Sequence, residues 1–401
     1  MMRLMAIAIA AFAWLLPCMS IAGPGGGGSA VVEVPPIFES GSGSGSPSGI
    51  VIQEAGGFQF GYNMSGLTVN GLGTVPNLPP DFSLVADAAR GWPDLDGNGI
   101  SDIVIQHPNG FLFAFLLQDA GSFVSVLASG PIPALPPNFE VLAWPDLDGN
   151  GTTDMVIQEP GGFTFAYLMN GLTVSSSGAV PGLPQGNYKT IGFPNLDGLN
   201  GDDIVIQEAG GFTFAFLMDG LTVVSSGQVP GLPVVGNYKT IGFPDLDGLN
   251  GNDIVIQEVG GFTFGYLMNG LTTDALGPIP GLPVVGNYET IGFPDLDGLN
   301  GNDIVIQEAG GFTFAYLMNG LTVSSSGPVP GLPVVGNYST IGFPNFDNAN
   351  GADIVIQEAG GFTFAYLMNG LSVVDLGPVP GLPVVGSYST VRWEQSWAVL
   401  P

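Results

Sequence analysis

The chain has 401 residues, 65 of them Gly and 34 Pro, with only 10% charged residues and a formal net charge of −29. A hydrophobic content of 45% is ample for a core and excludes an acidic disordered chain. The carboxylate excess repels phosphate backbones and anionic surfaces, which excludes nucleic acid as a partner.

Residues 1–22 read as a secretory signal. Arg3 makes a positive start, Leu4 to Leu16 is an apolar run, and Ser20-Ile21-Ala22 puts small residues before a cut at Gly23. The run is too short to span a bilayer comfortably. No other stretch looks transmembrane, so no membrane insertion is expected. Cleavage removes Cys18, the only cysteine, and leaves a chain without disulfides. The rival reading is a lipobox, Leu15-Leu16-Pro17-Cys18, with the chain anchored at Cys18; Pro17 fits such a box poorly. Residues 23–49 are a Gly- and Ser-rich linker. The expected mature protein is secreted or held at the cell surface.

From residue 50 a period of about fifty residues begins. The run Ile-Val-Ile-Gln, or Met-Val-Ile-Gln, starts at 50, 103, 155, 204, 254, 304 and 354. One repeat reads as four strands. Tyr238 to Phe243 is the first, an acidic loop follows over 245–253, and Ile254 to Gln257 is the second. Gly260-Gly261 turns into a third strand over 262–267, and Asn269-Gly270, a type I′ signal, opens the fourth. The Pro-rich stretch 277–283 crosses to the next repeat. The first such second strand, at Ile50, has no first strand before it, and the last first strand, 388–397, has no second strand after it. The expected fold is therefore all-β: a seven-bladed β-propeller of four-stranded blades over 50–398. It is closed by pairing of the C-terminal strand with the N-terminal blade.

Six acidic loops precede these strands. The first runs Asp94-Leu95-Asp96-Gly97-Asn98-Gly99-Ile100-Ser101-Asp102, and the others begin at Asp146, Asn195, Asp245, Asp295 and Asn345. Three acids in each of the first five loops and two in the sixth place half of the 34 acidic residues there. Oxygen side chains at positions 1, 3, 5 and 9 suit one hard cation, and calcium is the cofactor expected. An EF-hand would need Glu at position 12, where the first loop has Ile105, and flanking helices. The competing reading is an Asp/Asn/Gly turn that binds nothing.

The pattern D-x-D-G-N-G-x-x-D-I before a strand, with L-M-N-G-L-T-V some way after it, resembles the FG-GAP/VCBS repeat, the calcium-binding repeat of integrin α-chain heads. The resemblance covers about residues 50–398 and implies a calcium-braced propeller. Two loops match its metal pattern fully. It implies side-chain ligands Asp94, Asp96, Asn98 and Asp102, with a carbonyl from Ile100. It likewise implies Asp146, Asp148, Asn150 and Asp154, with a carbonyl from Thr152. The later loops carry Asn195, Asp197 and Asp203; Asp245, Asp247 and Asp253; Asp295, Asp297 and Asp303; and Asn345, Asp347 and Asp353. In the third to fifth loops Leu stands at position 5 and Asn at 6, so either the Asn, Asn250 for example, swings in or water fills the gap. The sixth has the fewest carboxylates.

Little else carries chemistry. His107, the only histidine, stands where the other repeats have Glu, and the few basic residues include Lys189 and Lys239 at equivalent repeat positions. Without a clustered base or cation, catalysis is not expected; a polysaccharide lyase is the enzymatic alternative. The repeated Gln (53, 106, 158, 207, 257, 307 and 357) reads as a polar rim or, preferably, as amide packing between blades. The expected role is recognition of an extracellular protein or carbohydrate by a monomer, against a structural surface component with no specific ligand.

Overall fold

The computed structural model describes residues 49–390 apart from 55–58, 76–80, 86–92, 120–123, 185, 187, 234–237, 259, 284–287, 300, 309–310, 334–337, 350, 359–361 and 380–387. The expected signal, the expected linker up to residue 48, and Trp393 of the expected closing strand lie outside the described residues, while Gly49 already belongs to a strand. Among the described residues every regular element is a strand.

The fourth repeat shows how one blade is made. Tyr238–Gly242, Ile254–Glu258, Thr263–Asn269 and Thr272–Pro278 pair antiparallel in that order. Ile254, Val255 and Ile256 are fully buried, because a short run apolar on both faces suits a strand covered on both sides. The hairpin between second and third strands is clearest in the third repeat. Gly211 N–H donates to Glu208 O at 2.8 Å, and Glu208 N–H to Phe212 O at 2.9 Å. Of the two glycines only Gly211 has positive φ, +83°, so the second glycine makes the turn.

The next turn corrects the sequence expectation. Asn269 pairs with Thr272, leaving a two-residue loop, Gly270-Leu271. Only Gly270 has positive φ, +60°. Positive φ at the first loop residue alone is the type II′ pattern, not the expected type I′. Asn269 is the last ladder residue, and the glycine after it satisfies the strand twist.

The molecule is a β-propeller, but the expected ring of seven blades closed by its C-terminal strand is corrected. Six blades are built of four consecutive strands each, and these are the six with acidic loops. The remaining sheet is a composite: Tyr388–Thr390 lies beside Gly49–Glu54, followed by Gln59–Ser65 and Thr68–Val75. Of the expected strand 388–397 the described part, Tyr388–Thr390, makes three residue pairs, Ile52↔Thr390, Gln53↔Ser389 and Glu54↔Tyr388, and 391–397 lie outside the described residues. The third to sixth blades show how far such an inner ladder runs. Their inner strand pairs with the second for three residues, as in Tyr238↔Glu258, Lys239↔Gln257 and Thr240↔Ile256, and then the register shifts before Gly242. A bulge there leaves the intervening residue unpaired and bends the strand, so a long inner ladder does not form.

Neighbouring blades interlock at this bulge. Phe243, 3% exposed, lies over Gly192 of the preceding blade, Phe293 over Gly242, and Phe343 over Gly292. A Cβ at any of these glycines would overlap the ring. Gly242→Ala should therefore destabilise by about 1–3 kcal/mol through overpacking. Ala143 occupies the same register position in the second blade, opposite Val156. A denaturant midpoint unchanged by Gly242→Ala would show that the ring moves aside freely.

Candidate metal centre

Each acidic loop is built around its ninth residue. Asp102 is fully buried; its Oδ2 accepts Leu95 N–H at 2.8 Å and its Oδ1 accepts Leu117 N–H at 2.7 Å. The same clamp recurs five times, at Asp154, Asp203, Asp253, Asp303 and Asp353. One oxygen holds the loop's second residue, and the other holds the third strand. In the last five loops that second amide belongs to Met169, Met218, Met268, Met318 or Met368, each at a register shift of its third strand. A bulge leaves an amide without a ladder partner, and the carboxylate takes it.

The first and third residues close over this clamp. Asp94 Oδ1 accepts Gly97 N–H at 2.9 Å and its Oδ2 accepts Gly99 N–H at 2.8 Å, while Asp96 Oδ1 accepts Asn98 N–H at 3.2 Å. Asn98 Oδ1 accepts Ile100 N–H at 2.8 Å, and Thr152 N–H makes the same bond to Asn150 at 2.7 Å. The fifth and seventh residues of both loops are thus folded back on the loop itself.

Four loops bring three carboxylate oxygens within 4.8 Å of one another: Asp94, Asp96 and Asp102; Asp146, Asp148 and Asp154; Asp245, Asp247 and Asp253; Asp295, Asp297 and Asp303. The first residue decides the grouping. Where it is Asn195 or Asn345, two carboxylates remain at ligand positions: Asp197 and Asp203, or Asp347 and Asp353. In the third to fifth loops the fifth residue offers no oxygen, since Leu199, Leu249 and Leu299 project into solvent at 60%, 60% and 59% exposure. Asn250 stands at the surface of its loop. It is exposed and has φ +61°, the left-handed conformation that Gly99 takes with φ +83° in the first loop. Its place is set by backbone geometry, which Asn tolerates better than most residues.

Burial dominates the electrostatics. It pushes Asp102 and Asp253 up to about 8 and Asp154, Asp203, Asp303 and Asp353 up to about 7, despite two backbone N–H donors to each. It pushes Asp94 up to about 6, and raises Asp146, Asp245 and Asp295. No Lys or Arg occurs within any of the six loops.

Residues the sequence did not single out tie the loops together. The eighth residue of one loop reaches the first residue of the loop before it. Asp94 N–H donates to Thr153 Oγ1 at 2.8 Å, Asp146 N–H to Asp202 Oδ2 at 2.9 Å, Asn195 N–H to Asn252 Oδ1 at 2.8 Å, and Asp245 N–H to Asn302 Oδ1 at 2.9 Å. The eighth residue's own N–H donates back to the first residue's carbonyl, as Thr153 does to Asp94 at 2.8 Å. Asp202 keeps some exposed surface, but its carboxyl is enclosed. Burial pushes it up to about 8, with the charges of Asp146, Asp203 and Asp154 adding to the rise. The signal was present as a run of oxygen-bearing residues, Ser101, Thr153, Asp202, Asn252 and Asn302, at one register position.

The donor set fits a hard cation. It is all oxygen, mostly carboxylate, and has no basic residue of its own. In the third loop, Asn195 Oδ1 is buried with no hydrogen-bond partner, an orphaned acceptor beside Asp197 and Asp203.

Two of the repeated Gln side chains reach tyrosines. Gln158 Nε2 donates to Thr164 Oγ1 at 2.8 Å and to Tyr188 OH at 3.1 Å, and Gln207 Nε2 to Tyr238 OH at 3.1 Å. Each tyrosine comes from the next blade, so these amides pack between blades. His107 lies in the hairpin at the far end of its strand, with Nδ1 accepting Asn109 N–H at 3.3 Å and Phe82 edge-on to the ring at 5.2 Å.

No protein-family model matches the chain, and no curated protein matches it. The FG-GAP/VCBS resemblance therefore has no family model behind it. Solved structures similar to the chain include an oligogalacturonate lyase in complex with manganese, 11% identical over 82% of this chain and 83% of that one, with TM-score 0.47. BamB from Moraxella catarrhalis is 14% identical over 91% and 96%, with TM-score 0.37. The C-terminal WD40 domain of Sif2 is 14% identical over 76% and 77%, with TM-score 0.36. Likenesses this distant say nothing of chemistry; the strand order itself makes the chain a β-propeller.

Proposed function

We propose that this chain is a secreted recognition propeller for an extracellular protein or glycan, braced by calcium in its acidic loops. The observation that carries the metal is the set of four loops with three carboxylate oxygens inside 4.8 Å and no basic residue within them. Asp94, Asp96 and Asp102, and their equivalents, would hold the ion, with Asn98 and Asn150 adding oxygens in the first two loops. Bound calcium supplies positive charge that relieves carboxylate repulsion. The chain's own residues do the rest: the ninth Asp anchors the loop to the third strand, and the eighth residue anchors it to the preceding blade. Recognition is preferred to turnover because none of the six loops contains a Lys, Arg or His; a glycan array run with and without calcium tests it.

The direct test of the metal is stoichiometry by titration calorimetry. Asp96→Ala should remove one binding event, because Asp96 faces the cluster without clamping the backbone of another strand. Asp347→Ala, in the carboxylate-poor sixth loop, should leave the count unchanged. No calcium bound to the parent would refute the metal reading. Loss of an event from Asp347→Ala alone would reverse the ranking of the loops.

A further inference from the structure

The hairpins between second and third strands leave an aromatic ring in water. Phe111, Phe212, Phe262, Phe312 and Phe362 each follow a glycine of the turn, and they are 38% to 46% exposed. The turn does not require the ring. It uses this residue's carbonyl, which accepts Glu208, Glu258, Glu308 and Glu358 N–H at 2.8 to 2.9 Å, and His107 N–H at 2.9 Å. One exposed phenylalanine is ordinary, whereas the same exposure at one position of five blades points to use. The ring is seated on its own turn: a Cβ added at Gly210 or Gly260 would meet the Phe212 or Phe262 ring at 3.5 Å. Ordering it on binding therefore costs little side-chain entropy. Phe163, at the same position, is half-buried with Phe139 edge-on at 6.2 Å, and Phe58 lies outside the described residues.

We propose that Phe212, Phe262, Phe312 and Phe362 are stacking platforms for the pyranose rings of a glycan without acidic groups. The Glu that opens each hairpin accepts hydrogen bonds from the sugar's hydroxyl or amino groups. The proposal deepens the recognition reading above and rests on it. The C–H face of a pyranose suits the electron-rich face of an aromatic ring. Charge and spacing select the ligand. These four hairpins carry a carboxylate each and no Lys or Arg, which repels a polyuronate and equally repels the same face of a second copy. A protein partner wants a contiguous apolar centre; here each ring is set apart by Gly-Gly and Glu. One ring and one carboxylate per blade match a ligand of repeated like units. The hairpins lie at the far end of the second strand from the acidic loops, so the sugar sites are separate from the metal sites.

The test is a printed array of neutral, amino-bearing and acidic oligosaccharides, probed with the full chain. The parent should bind neutral or amino-bearing glycans and not the acidic ones. Phe212→Ala, Phe262→Ala and Phe312→Ala together should weaken the strongest binding roughly a hundredfold or more, because three of the repeated contacts are lost at once. Tyr in place of the same three residues keeps the rings and should hold binding within about threefold. Melting should be unchanged in both variants, since the rings are exposed. Phe262→Trp supplies a readout that does not depend on the Ala variant folding: its emission should shift when the bound glycan is added. The hairpin sites are overturned if the triple Ala variant folds and binds within about threefold of the parent, or if Phe262→Trp emission stays fixed. Glycan binding by another face would then keep the recognition reading standing. A parent that binds no glycan, or acidic ones alone, overturns the proposal, and recognition then rests on a protein partner.

Discussion

Stripped of divalent cations, the protein should lose thermal stability as the pH rises from about 4 to about 8, and saturating calcium should remove that loss. The ninth-position carboxyls drive the effect. Their ordinary value is 3.8, and burial pushes them to about 7 or 8 in the fold. Between those values the folded state holds more protons than the unfolded state. Stability therefore falls as pH rises, and does so until the folded carboxyls have ionised. This is the reverse of ordinary acid denaturation, in which ion-paired carboxylates gain protons on unfolding. Calcium competes with those protons, so its stabilisation should grow with pH. At a hundredfold excess over the dissociation constant each site contributes about 2.7 kcal/mol. The measurement is a set of melts from pH 4 to 8 in EDTA and in calcium. A flat profile in EDTA would show that the carboxylates are already neutralised within the protein.

Asp253→Ala should be among the most damaging single changes in any blade, with or without calcium. It removes the acceptor for two buried amides, Leu246 N–H and Met268 N–H, each at 2.8 Å. Leaving two buried donors unpaired costs about 1–3 kcal/mol each, so roughly 2–6 kcal/mol in all. Asp253→Asn keeps one acceptor oxygen and should lose about half as much. Asp247→Ala should cost little in EDTA, since Asp247 holds only the exposed Leu249 N–H at 2.9 Å. Chemical denaturation in EDTA separates the three. Equal losses for Asp253→Ala and Asp247→Ala would mean that the ninth residue is no more structural than the third.

Much of the architecture could be read from local pattern. Fully apolar runs such as Ile254-Val255-Ile256 announced the second strands, and glycine pairs announced the hairpins. The acidic loops were legible because their residue types repeat at fixed positions. What local pattern hid was whatever depends on a neighbouring blade. Asp202 lies 56 residues from Asp146, and no spacing rule within one loop connects them. Asn250 shows a related limit. Its side chain suggested a ligand, whereas its backbone takes the turn that glycine makes in the first loop. The bulge in the inner strands of the second to sixth blades likewise leaves no mark in the alternation of side chains.

The eighth-residue bonds have a last consequence. The loop carboxamides and hydroxyls act like stitches running from blade to blade, and one stitch is missing. Ala352 stands where Thr153, Asp202, Asn252 and Asn302 supply an oxygen. The fifth and sixth blades are joined there by main chain alone, through Ala352 N–H to Asp295 O at 2.5 Å. Lacking that oxygen, this join should open more readily than the equivalent joins made by Thr153, Asp202, Asn252 and Asn302. Amide hydrogen exchange at Asp295 should outpace that at Asp245, whose N–H is capped by Asn302, and Ala352→Asn should slow it.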